Sequence, residues 1–111
     1  MPEIEQGGRR PALEAARRGS DLDRGMDDEA IPDEASAGTA RHWISVYAQL
    51  TSLESHLLTE ARELLPTLSR SARREAELTN LPLLESQLRR FRHRQELWEQ
   101  RLGELERAGK A

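Results

Sequence analysis

The sequence predicts an all-α protein: an antiparallel, coiled-coil-like two-helix hairpin with a short connector helix and a disordered N-terminal tail. Three observations predict it. Apolar residues recur at steps of three and four over two long stretches, and prolines and small polar caps fall between those stretches. The first third of the chain is acidic, poor in large apolar side chains and without any period. The resulting division is a tail over 1–38 and a hairpin domain over 39–108.

In residues 1–40 ten acids stand against five arginines, and Leu13, Leu22, Met26 and the Ile31-Pro32 pair are scattered. Such a segment does not offset its ordering entropy. One local exception is Pro11–Arg18, where Pro11 suits a first helical position and Gly19 a stop, although the piece is too short to be stable alone.

The first long helix is expected over about 40–65. Thr39 is an acceptable N-cap, and Pro66 disfavours helical geometry at Leu65. Its large side chains Trp43, Val46, Leu50, Leu53, Leu57 and Leu64 step by three and four, with Glu60 interrupting. Ile44 and Leu58 lie off this seam. The connector over 66–80 holds a candidate short helix at 69–78 capped by Ser69 or Ser71, and Thr79 or Asn80 caps the last helix, with Pro82 in its first turn. That last helix, about 81–107, carries the strongest pattern: Leu81, Leu84, Leu88, Phe91, Gln95, Trp98, Leu102 and Leu105. Gln95 is the lone polar member, a residue type that commonly fixes register in a seam. With the fold-back centred near Arg73, facing positions sum to about 146, which sets Glu54 opposite Arg92, Tyr47 near Trp98, Trp43 against Leu102 and Leu105, and Leu64 near Leu81 and Leu84.

Chemistry-bearing motifs are sparse. The chain has no cysteine, which removes disulfides and thiolate zinc sites. His42, His56 and His93 form no i, i+4 metal pair, and Gly7-Gly8 follows no strand. No cofactor, metal, small-molecule substrate or catalytic residue is therefore expected. No stretch approaches the roughly 18 consecutive apolar residues of a membrane span, so the default location is the cytoplasm.

The run Arg89-Arg90-Phe91-Arg92-His93-Arg94 looks basic in one dimension but wraps around a helix. Arg89 and Arg92 share a side with Glu85, Glu96 and Glu99, whereas Arg90, Arg94 and Arg101 share the other flank with Leu83 and Leu97. Leucines beside arginines are what a protein interface with an arginine-rich margin shows. The expected function is a non-catalytic interaction or regulatory module that pairs with a second copy or a helical partner, giving a four-helix bundle. A three-helix monomer with the connector folded over the apolar surface is the structural alternative. The functional alternative is a nucleic-acid-associated regulator whose Arg90, Arg94 and Arg101 contact phosphates, with the acidic tail competing for the same surface.

Overall fold

A computed structural model describes residues 22–109. The architecture is a helical hairpin. A single 3₁₀ turn, Pro32–Glu34, precedes α1 (Ala37–Leu64); a second, Leu65–Thr67, leads to the short α2 (Arg70–Leu78) and then to α3 (Asn80–Arg107). The two long helices have 28 residues each and pack against one another along their length. The expected helix at Pro11–Arg18, the Gly7-Gly8 pair and the remainder of the tail up to 21 lie outside the described residues.

α1 starts three residues earlier than Thr39 as cap would place it. Ser36 is the N-cap, with extended backbone and a side-chain oxygen accepting from the Thr39 N–H at 3.2 Å. At the far end α1 stops at Leu64, but Leu65 keeps helical geometry (φ −50°, ψ −47°) contrary to the expectation from Pro66, because the chain continues into the 3₁₀ turn that contains the proline. Arg73 then reaches back from α2, its Nε donating to the Leu65 carbonyl at 3.1 Å and its Nη2 to the Pro66 carbonyl. A guanidinium on the two carbonyls just past the end of α1 complements the helix dipole. Ser69 caps α2 by accepting from Ala72 N–H. α2 has no buried residue, so it shapes the bend and does not roof the hairpin. The three-helix alternative is thereby corrected: no residue of α2 is buried, and its one large apolar side chain, Leu78, is 40% exposed.

The α3 seam is as expected. Leu81, Leu88, Phe91, Trp98 and Leu105 are buried, and Leu84 and Leu102 pack against the core. α1 is rotated by one position from its expected orientation. Its inward stripe is Ala40, Trp43, Tyr47, Thr51, Glu54, Leu58, Ala61 and Leu65, while Leu53, Leu57 and Leu64 are 54, 38 and 57% exposed. The cause is the size of the aromatic cluster: burying Tyr47 against Phe91, at 6.0 Å between rings, fixes the helix rotation, and Leu58 follows Tyr47 at heptad spacing.

The core is consequently two apolar clusters. Ala35, Ala40, Trp43, Tyr47, Phe91 and Trp98 form one, and Leu58, Leu81 and Leu88 the other. Thr51 and Glu54 lie between them on α1, each with a buried side-chain oxygen that lacks a hydrogen-bond donor. Burial raises the Glu54 carboxyl above its ordinary pKa, and the charge of Arg90 opposes that shift. Glu54 therefore answers Arg90 and not Arg92, because the rotated helix turns it inward. The antiparallel register is close to expectation, since Arg62 pairs with Glu85 across the helices at 3.1 Å. Both partners are well exposed, so this bridge contributes only about 0.2–1 kcal/mol.

Leu58→Ala is expected to cost about 2–5 kcal/mol in denaturant unfolding, because the second cluster has few other large side chains. Ser36→Ala should cost about 1 kcal/mol.

Candidate functional site

The segment Leu22–Ser36, expected as part of the tail, is laid against the arginine flank of α3; we call it the strap. Its anchor is Glu29. One carboxylate oxygen accepts from the Tyr47 hydroxyl and from the Met26 N–H at 3.0 Å; the other accepts from Arg94 Nη2 and from the Trp98 indole N–H at 2.7 Å. The side chains of Arg94 and Glu29 are 7% and 2% exposed, so the ion pair is inside the protein. Four donors on one carboxylate are what makes such burial tolerable.

Neighbouring groups extend the attachment in both directions. Arg94 Nη1 donates to the Asp23 carbonyl at 3.2 Å, Arg90 Nη1 to the Arg24 carbonyl at 3.3 Å, and Arg101 Nη2 to the Asp33 carbonyl at 3.1 Å. His93 Nε2 meets the Asp23 carboxylate at 3.2 Å. Gly25 allows the close approach, because a Cβ there would lie 2.9 Å from Glu29 Oε1 and 3.2 Å from Arg94 Nη2. That oxygen is held by its donors and has little freedom to retreat. Between strap and helix runs a cleft of about 400 Å³ lined by Asp23, Pro32, Asp33, Arg94, Leu97, Gln100, Arg101 and Glu104.

The expectation of a tail free of the helices is thus corrected for residues 22–36. Length and periodicity gave these residues no core to join; one ion pair and main-chain carbonyls attach them, with Ala35 buried in the first apolar cluster and Ala30 packed against it. Four of the five expected interaction residues, Arg90, Arg94, Leu97 and Arg101, come together at this flank. Leu83 is half-buried on an earlier turn of α3 and lies outside the cleft. Gln95 does not pair across the seam; its amide donates to Glu99 on its own helix at 3.2 Å. Arg92 is exposed beside a shallow groove with Ser55, Thr59 and Arg89. Glu29, Tyr47, Trp98 and Gly25 went unmarked in the sequence as site residues. The one available signal was that a buried tyrosine and a buried tryptophan each need a partner for the polar end.

The electrostatics follow from burial and from these bonds. Burial pushes the Glu29 carboxyl up, but the hydrogen bonds from Tyr47, Arg94, Met26 and Trp98 outweigh it and hold its pKa below the ordinary 4.5. Burial, then the hydrogen bond and charge of Glu29, push the Tyr47 phenol from 10.0 up to about 12. Burial lowers the Arg94 pKa, and Glu29 more than reverses it.

Among the described residues no group of three or more His, Cys, Asp or Glu is placed to hold a metal ion, and no helix is long and apolar enough to cross a membrane. No family model matches the chain, and no match was found among curated proteins or solved structures.

Two tests address the cluster. Glu29→Ala leaves Arg94 charged, buried and unpaired, and is expected to cost about 3–5 kcal/mol, whereas the paired replacement Glu29→Leu with Arg94→Met should recover most of that loss. The pH dependence has two limbs. Because the Glu29 pKa is lowered on folding, its stabilisation is full above 4.5 and is lost as the pH falls through the lowered value. Because the Tyr47 pKa is raised, its stabilisation is full below 10.0 and is lost as the pH climbs toward about 12. Tyr47 is the only tyrosine, so native tyrosinate absorbance should titrate near 12 and move back toward 10 in Glu29→Gln.

Proposed function

We propose that the chain is a non-catalytic helical interaction module that pairs with a second copy of itself through the outward face of α1. The carrying observation is that α1 has two heptad stripes side by side and exposes the C-terminal part of the more apolar one, Leu53, Leu57 and Leu64, while Val46 and Leu50 are half-buried against the first apolar cluster. Tyr47, Thr51, Glu54, Leu58, Ala61 and Leu65 face α3, while Val46, Leu50, Leu53, Leu57, Glu60 and Leu64 form the neighbouring stripe. Five of the six in that second set are aliphatic.

The charge pattern supports the same reading. Between His42 and Thr59 the one Asp, Glu, Lys or Arg is Glu54, in a chain of which a third is charged, and Glu54 is on the inward side. Depletion of charge around exposed aliphatic residues marks the centre of a protein interface. A twofold axis beside α1 buries the stripe against its own copy and gives a four-helix bundle. The unit is small, and association adds apolar burial that a single hairpin lacks. The alternative is a nucleic-acid-associated regulator, in which the strap on Arg90, Arg94 and Arg101 is the acidic segment that competes with phosphates.

Sedimentation equilibrium tests the proposal. The native chain is expected to be a dimer at micromolar concentration. Leu53→Asp with Leu57→Asp should leave helical content unchanged and weaken association by at least on the order of a hundredfold, given roughly 1.5–3 kcal/mol per leucine withdrawn from water. A native chain that stays monomeric into the high micromolar range would overturn it.

A further inference from the structure

The strap adheres to the hairpin chiefly through polar contacts. Its large apolar side chains Leu22, Met26 and Ile31 are 40, 38 and 59% exposed, whereas the Glu29 side chain is 2% exposed. What α1 and α3 present to it is a receptor for a carboxylate, in which the Tyr47 hydroxyl, the Arg94 guanidinium and the Trp98 indole N–H converge from two helices. Arg90 and Arg101 extend that receptor along α3 by holding the main-chain carbonyls of Arg24 and Asp33, contacts that any peptide offers. The Nε groups of Arg90, Arg94 and Arg101 are all buried without a hydrogen-bond partner, so the flank carries more donors than the strap uses.

Recognition here depends on the buried Glu29 carboxylate, on three main-chain carbonyls, on the exposed Asp23 carboxylate beside His93, and on a small residue four positions before the buried acid, where Gly25 passes over the ion pair. The rest of the strap sequence contributes little. We propose that this groove is a docking site for an acidic, turn-forming segment of a different protein, one glutamate of which replaces Glu29, and that the strap, which turns at Met26–Glu29 and again at Pro32–Glu34, is its intramolecular stand-in. Charge complementarity selects the occupant: three guanidinium groups in one row favour an acidic peptide. The tether gives the strap a high effective concentration, so a competing segment binds the intact chain weakly until the strap is loosened. None of the residues of the Leu53–Leu64 stripe takes part, and the inference does not depend on self-association.

The test uses the full chain carrying Glu29→Ala and a fluorescent peptide with the sequence of residues 22–36. This chain is expected to bind the peptide at least roughly tenfold more tightly than the native chain, whose receptor is occupied. The same peptide with Glu29→Gln should bind at least roughly tenfold more weakly, since the charge-assisted bonds are lost. Adding Arg94→Met to the Glu29→Ala chain should abolish binding. Should circular dichroism show that Glu29→Ala does not fold, Glu29→Gln keeps the shape without the charge and carries the same comparison. Equal binding by the native and substituted chains, or equal binding of the Glu and Gln peptides, would overturn the proposal. A one-to-one complex between Glu29→Ala and Arg94→Met chains would make the occupant the strap of a second copy, and would overturn assignment of the groove to a different protein.

Discussion

The Glu29 carboxylate sits where the polar ends of Tyr47, Trp98 and Arg94 meet. Tyr47 and Trp98 are the largest side chains with no measurable contact with water, and each buries a group that must be hydrogen-bonded. Neither helix supplies an acceptor for them. Without the strap, the aromatic half of the hairpin would enclose a phenol, an indole N–H and a guanidinium, none of them paired with an acceptor from α1 or α3. The strap is therefore part of the fold even though it contributes no helix and little apolar area. Its short 3₁₀ turn, together with buried Ala35 beside the Ser36 cap, carries the chain from this ion pair into α1.

That single acceptor also bears on how α1 is rotated. Aliphatic content alone would turn Leu53, Leu57 and Leu64 toward α3, since that stripe is the more apolar of the two. The observed rotation places Tyr47 within reach of Glu29 and against Phe91, and accepts Thr51 and Glu54 between the two apolar clusters. A buried carboxylate oxygen without a donor is costly, and Arg90 offsets part of that cost through its charge. The aromatic cluster outweighs the aliphatic stripe because Trp43, Tyr47, Phe91 and Trp98 each bury far more area than a leucine.

These two facts explain which parts of the structure were legible in the sequence. The α3 seam was legible because eight positions alternate without a break and no adjacent stripe competes with them. The connector was legible because Pro66, Ser69 and Pro82 act locally, although Thr79 stands at the start of α3 without capping it, its hydroxyl donating back to the Glu75 carbonyl of α2. The rotation of α1 was not, because two heptad stripes one residue apart differ mainly in how apolar they are, and the decisive contact is with a residue outside both helices. The flank of Arg90, Arg94, Leu97 and Arg101 was visible as a face. Its occupant was hidden, since Glu29 is 65 residues from Arg94 in the chain and is one of ten acids in a segment with no period.

The hairpin thus carries two surfaces of opposite chemistry, and the difference bears on how each would be used. The outward face of α1 at Leu53, Leu57 and Leu64 is aliphatic, and such a surface gains nothing from being exposed. The α3 flank is the reverse. Its arginines are held by one carboxylate and by main-chain carbonyls and keep unused Nε donors, so under the proposal above one acidic segment would replace another without leaving the guanidinium groups unpaired. Apolar burial of the strap is slight, and the loss on releasing it is concentrated at Glu29. A surface of the first kind suits permanent assembly, and a surface of the second kind suits exchange.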